Sequence, residues 1–119
     1  MDEGAIAELE ARIGLKFPTG YRNALLSCGI DPLSEEFCRI PAELIRSNDG
    51  LREFAPPELG WSGNHWWIGD DGSGGFHFLD LTDPESTVLY YDHEVPPEHP
   101  NDRERLKPQT LDAFLASCE

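Results

Sequence analysis

The sequence predicts an α+β fold: one domain over residues 1–119 in which helices precede an antiparallel β-meander and one more helix follows it. Three observations carry this. Between the apolar runs Trp66-Trp67-Ile68 and Phe76-His77-Phe78-Leu79 lie seven residues, four of them Gly and two Asp, which demand a sharp turn through positive-φ conformations and mark a β-hairpin with an acidic tip. In the second arm Phe76, Phe78 and Asp80 fall on one face and His77, Leu79 and Leu81 on the other, the period of two of a strand. The N-terminal half and the last ten residues instead repeat their apolar positions at three and four, the period of helices.

Taken in order, Ile6, Leu9 and Ile13 form an apolar stripe over residues 5–13, with Glu8, Glu10 and Arg12 on the remaining faces and Gly14 placed for a left-handed C-terminal residue. Leu15 and Phe17 lead into Pro18, harmless in a first helical turn, after which Tyr21, Leu25 and Leu26 define a second helix running to Gly29, its apolar face against the sheet. Residues 30–39 have no period, and Leu33 and Phe37 are their expected anchors. Pro41 opens a short third helix carrying Leu44 and Ile45, with Asn48-Asp49-Gly50 as its stop signal. Residues 51–64, with Pro56-Pro57, Gly60 and Gly63, read as a connection to the sheet.

After the hairpin, Thr82-Asp83-Pro84-Glu85-Ser86 is a turn cluster and Thr87-Val88-Leu89-Tyr90-Tyr91 a third strand, ending in Asp92-His93-Glu94. Residues 92–108 contain Pro96-Pro97, Pro100 and Pro108 among acids and read as an exposed acidic loop. Thr110 is the N-cap of a last helix, with Asp112 in its first turn and Leu111, Phe114 and Leu115 facing inwards.

A chain of 119 residues has an expected radius of gyration of roughly 13–14 Å and needs no covalent staple. Its three cysteines, Cys28, Cys38 and Cys118, form no C-x-x-C pair and no even set, which disfavours a disulfide framework and a zinc site and points to a reducing compartment. The start, Met1-Asp2-Glu3-Gly4, lacks the basic and apolar regions of a signal peptide, and no run of about 18 apolar residues is present, so a cytoplasmic protein is expected. Nine Lys and Arg against 23 Asp and Glu give a formal net charge of −14, which repels phosphate backbones and anionic lipid surfaces. Nucleic acid and membrane are therefore excluded as partners, whereas a basic protein is attracted.

The sequence carries no convincing catalytic motif. Asp71-Gly72-Ser73-Gly74-Gly75 and Gly60-Trp61-Ser62-Gly63-Asn64 each miss one glycine of a nucleophile elbow. The glycines at 69, 72, 74 and 75 match neither phosphate loop, and no helix follows them to supply an anion-binding end. Asp70, Asp71, Asp92, His93, Glu94 and His99 have the chemistry of a divalent-cation site, but a calcium loop counted from Asp70 or Asp71 would reach Leu81 or Thr82 at position twelve, and His93-Glu94 lacks the second His of H-E-x-x-H. His77 is expected to pack within the sheet. No cofactor and no metal are assigned.

Four pieces in this order, Phe17-Pro18-x-x-Tyr21-x-x-x-Leu25-Leu26-x-x-x-Gly29, then Trp67-Ile68-Gly69-Asp70-Asp71-Gly72-Ser73-Gly74-Gly75-Phe76-His77-Phe78-Leu79-Asp80, then Val88-Leu89-Tyr90-Tyr91-Asp92-His93-Glu94, then Thr110-Leu111-x-x-Phe114-Leu115, resemble the SMI1/KNR4 family of the SUKH superfamily. The resemblance covers almost the whole chain. It implies an α+β domain without a catalytic centre: in bacterial members an immunity protein that neutralises a cognate toxin of a polymorphic or contact-dependent system, in fungal relatives a regulatory interaction module. The chain lacks the long arms of the fungal regulators, so a monomeric inhibitor of a basic toxin, of nuclease or deaminase type, is the favoured expectation. Its partner-binding surface is expected to comprise Asp70, Asp71, Asp92, Glu94, Glu98 and Asp102 at the rim, with Trp61 or Trp66 as an aromatic anchor. A regulatory scaffold, and a metal-dependent enzyme built on Asp92-His93-Glu94, are the rival readings.

Overall fold

The computed structural model describes residues 1–26, 37–55, 59–70, 75–92 and 106–117. Among these the chain order is α1 (Glu3–Ile13), α2 (Thr19–Leu26), α3 (Pro41–Phe54), β1 (His65–Asp70), β2 (Phe76–Asp80), β3 (Leu89–Tyr91) and α4 (Leu111–Ser117). The three strands form one antiparallel sheet in the order β1-β2-β3, the expected meander, and the radius of gyration is 13.4 Å.

Helix α1 starts where Asp2 accepts the N–H of Ala5 at 2.8 Å and ends at Gly14, whose φ of 74° lets its N–H reach the Glu10 carbonyl. Glu10, placed by periodicity on a polar face, is instead only 5% exposed. Its Oε2 accepts the Phe17 N–H at 2.7 Å and its Oε1 lies 3.7 Å from Arg22 Nε, so the carboxylate ties α1 to the entry of α2. In α4 the Thr110 hydroxyl accepts the N–H of Ala113, the expected cap.

Helix α3 corrects the sequence reading. It does not stop at Asn48-Asp49-Gly50 but continues to Phe54, so residues 51–54, expected in a connection, belong to a helix of 14 residues. Asn and Asp favour turns because their side chains compete for nearby backbone groups. Here Asn48 is 2% exposed and spends that capacity elsewhere: its Nδ2 donates to the Leu44 carbonyl (2.8 Å) and the Trp67 carbonyl (3.2 Å), and its Oδ1 accepts the Trp67 N–H (2.7 Å). Asp49 is held by Arg12 at 2.9 Å and Arg52 at 3.6 Å. Neither side chain remains available to end the helix.

Both faces of the sheet are covered. On one, Trp66 packs with Phe17 at 5.3 Å, and His77 stacks between Tyr90 (4.9 Å) and Phe114 of α4 (4.6 Å), the packed role expected for it. Phe37, an expected anchor, is fully buried and meets Tyr21 and Phe114; Leu33 lies outside the described residues. On the other face Phe76, Phe78 and Tyr91 form a ladder, with Trp61 tilted and His65 edge-on against Phe78. The β2–β3 turn is held by Asp80, which accepts from the Thr82 N–H and hydroxyl, and by Asp83, which accepts from the N–H groups of Glu85 and Thr87. The acidic loop expected at 92–108 falls mostly outside the described residues; its end returns through buried Leu106, and Gln109 pairs with Val88.

Candidate functional site

The site grows from an irregularity in β1. Its register runs Trp66↔Leu79 and Trp67↔Phe78 but then Gly69↔His77 and Asp70↔Phe76, which leaves Ile68 as the extra residue of a β-bulge. Strict alternation from Trp67 would send Asp70 to the opposite face. The bulge reverses this, since paired residues of an antiparallel ladder share a face and Asp70 now pairs with Phe76. The indole Nε1 of Trp67 accordingly donates to Asp70 Oδ1 at 3.3 Å. The extra backbone carbonyl, that of Ile68, accepts the Cys38 N–H at 2.7 Å.

Beside the bulge, Ser47, Gly50, Leu51 and Phe54 stand at positions i, i+3, i+4 and i+7, one stripe of α3. With Trp67, Asp70 and Phe76 they line an open, mainly apolar groove of about 390 Å³ between helix and sheet. Phe54 is 81% exposed, unusual for a residue of its size, and Asp70 on the rim is exposed as well. Trp61 is half-buried and meets Phe76 edge-on at 6.0 Å, so the aromatic surface continues from the groove to Trp61.

The residues expected from the sequence are therefore placed unequally. Asp70 and Asp92 lie at one end of the sheet, because Asp70, Phe76 and Tyr91 share a register row and Asp92 follows Tyr91. Asp71, Glu94, Glu98 and Asp102 fall outside the described residues. Trp66 is no surface anchor: it is 2% exposed, and its indole N–H donates to the Tyr21 hydroxyl at 2.9 Å, so it belongs to the core. Burial pushes that Tyr21 phenol far above its ordinary pKa, leaving it a neutral partner. Sequence reasoning missed Phe54 and Leu51, because a helix stopped at Gly50 presents neither; their spacing from Ser47 was the available signal.

Among the described residues no cluster of metal ligands lines the groove. The Cys38 thiol is raised above its usual pKa by burial, which holds it protonated, and its Sγ lies 3.7 Å from the Ile40 carbonyl. Among the described residues no group of three or more His, Cys, Asp or Glu is arranged to hold a metal, and His93 and Glu94 of the Asp92-His93-Glu94 set lie outside them. No helix among them is long and apolar enough to cross a membrane. The surface offers shape, aromatic area and negative charge, the means of binding.

The family model of the SMI1 / KNR4 family (SUKH-1) matches residues 1–117. The chain belongs to this family. Comparison with curated proteins and with solved structures returned no match. In this SUKH-1 domain the matched span takes in every element from α1 to α4, so the groove and the sheet end are parts of the family domain itself.

Proposed function

We propose that this SUKH-1 domain is an immunity protein, which binds a cognate bacterial toxin and neutralises it by covering its active site with an acidic surface. The observation that carries the reading is a net charge of −14 on a domain of this family. Toxins that cut or modify nucleic acids present basic substrate channels, and an acidic protein occupies such a channel as a substrate mimic while its field accelerates encounter. Asp70 and Asp92 at the sheet end, together with Asp71, Glu94, Glu98 and Asp102, form the acidic contribution and Trp61 the aromatic one. The protein acts by binding alone, without catalysis, cofactor or metal, and as a monomer in the cytoplasm.

A tagged form purified from its own host at low and high salt tests this directly. One stoichiometric basic protein with a toxin domain, released as salt rises, is expected, and co-expression must then protect cells from that toxin. Ordinary cellular proteins in its place, with no protection, would favour a regulatory scaffold. Against the toxin, Asp70→Asn is expected to slow association about two- to threefold at low salt, its share of the roughly 10–10³-fold that steering supplies, and to flatten the salt dependence. An association rate of the unsubstituted protein that ignores salt would refute occlusion by charge.

A further inference from the structure

The groove between α3 and the sheet has features that solubility and core packing do not require. A phenylalanine 81% exposed at the end of a helix costs solubility, and it stands beside Trp67 and Phe76, whose rings form the opposite wall. At about 390 Å³ the groove lies at the small end of the roughly 300–1,000 Å³ found for binding sites, room for one or two side chains rather than a whole segment. Gly50 contributes no side chain, and a Cβ built there meets nothing within 4 Å, so the floor is open.

Charge then specifies the occupant. Asp70 Oδ1 is engaged by Trp67, while Oδ2 has no hydrogen-bond partner among the described residues. The groove lies along the last two turns of α3, whose C-terminal carbonyls carry the negative end of the helix dipole. The α3 cations Arg46 and Arg52 already face Glu43 at 3.7 Å and Asp49 at 3.6 Å. Negative potential at one end of an apolar, aromatic-walled slot matches a guanidinium on an aliphatic stem: the stem packs on Leu51, the planar head stacks on an aromatic ring and meets the carboxylate.

We propose that this groove is a docking pocket for an apolar–basic hook, an aliphatic residue next to an arginine, presented by a basic partner protein. The proposal rests on the immunity reading for the partner's identity but not for the pocket's chemistry. The bulge at Ile68 is what builds the pocket, since it brings Asp70 onto the face of Trp67. Phe54 closes one wall, and Trp61 extends the contact across Phe76.

The test uses the whole protein, isotopically labelled, titrated in an NMR experiment with the capped dipeptide acetyl-Leu-Arg-amide and, as a control, acetyl-Leu-Glu-amide. The expected result is saturable shifts at Gly50, Leu51, Phe54, Asp70 and the Trp67 indole with the arginine peptide, and at least tenfold weaker binding of the glutamate one. Phe54→Ser and Asp70→Asn, both on exposed side chains, are expected to weaken the arginine peptide at least fivefold with unchanged melting temperature. Gly50→Leu fills the slot without removing a contact and should abolish the shifts. Shifts centred elsewhere, equal response to both peptides, or indifference to Gly50→Leu would overturn the pocket. With the full toxin, protection unaffected by Gly50→Leu and Phe54→Ser would also overturn the pocket while leaving the immunity reading intact. Dipeptide binding in the groove of a protein that protects against no toxin would instead uphold the pocket and refute the immunity reading.

Discussion

Replacing Asn48 with Ala should unfasten α3 from the sheet. β1 is an edge strand, and the N–H and C=O of Trp67 point away from β2 to the Asn48 amide, which meets them at 2.7 and 3.2 Å. Ala removes that partner and leaves both backbone groups buried beneath a helix, each at a cost of about 1–3 kcal/mol. The better helix propensity of Ala returns roughly 0.5 kcal/mol, so the net loss is about 1.5–5.5 kcal/mol, a large part of the roughly 5–15 kcal/mol that holds a domain folded. Unfolding entropy of about 2.1 cal/mol/K per residue gives about 0.25 kcal/mol/K for 119 residues, so the melting temperature should fall by about 6–22 °C. Urea titration followed by tryptophan fluorescence measures the same loss as a lower midpoint at constant slope. Asn48→Asp sharpens the test, because it keeps an acceptor for the Trp67 N–H but sets a carboxylate against the carbonyls of Leu44 and Trp67. It should be less stable than Asn48→Ala at pH 7 and recover as the added acid is protonated. A loss under about 1 kcal/mol for Asn48→Ala would show that the amide does not hold the strand edge.

Three further outcomes follow from single groups. Burial holds the His65 imidazole below its ordinary pKa, and its Nδ1 accepts the Ser62 N–H at 3.0 Å, so the folded protein binds the proton more weakly than the unfolded chain. Stability should therefore fall as pH drops below about 6.5, and the slope between pH 7.5 and 5.5 should flatten in His65→Gln, as read by melts across that range. Gly14→Ala places a side chain at φ 74° where no atom lies within 4 Å, so it costs backbone strain alone, about 1–2 kcal/mol in urea titration, and Gly14→Asn should cost less. Glu10→Ala orphans the buried Phe17 N–H and should lose about 1.5–3 kcal/mol, with Glu10→Gln recovering most of it by keeping an acceptor.

The architecture was legible because its signals are local. The period of two in Phe76–Asp80, the four glycines before it and the caps at Gly14 and Thr110 each act through a few neighbouring residues, and the structure has the strand, both caps and the meander. What sequence misread depended on distant partners. Asn48-Asp49-Gly50 carries every local sign of a helix end, and only Trp67, nineteen residues on, and Arg12, thirty-seven residues back, remove it. Glu10 looks solvated until the Phe17 N–H claims it, and Trp66 looks like an anchor until Tyr21 does. The bulge at Ile68 is likewise a property of the β1–β2 pair, so the face of Asp70 was not legible from the period of β1 alone.

Stability and binding surface meet at the same residue. The amide that satisfies the edge of β1 also carries α3 through its stop signal, and only the additional turn brings Leu51 and Phe54 beside Trp67. An edge strand left bare invites pairing with other chains. Here α3 seals it with a side chain and presents an aromatic groove in the space beside the seal. Asn48→Ala should consequently weaken partner binding even where enough protein remains folded, because the wall bearing Phe54 loses its fastening to β1. Phe54→Ser removes the same wall without touching the seal. The two substitutions thus separate the residue that positions the groove from the one that lines it: both should reduce binding, and only the first should lower the melting temperature.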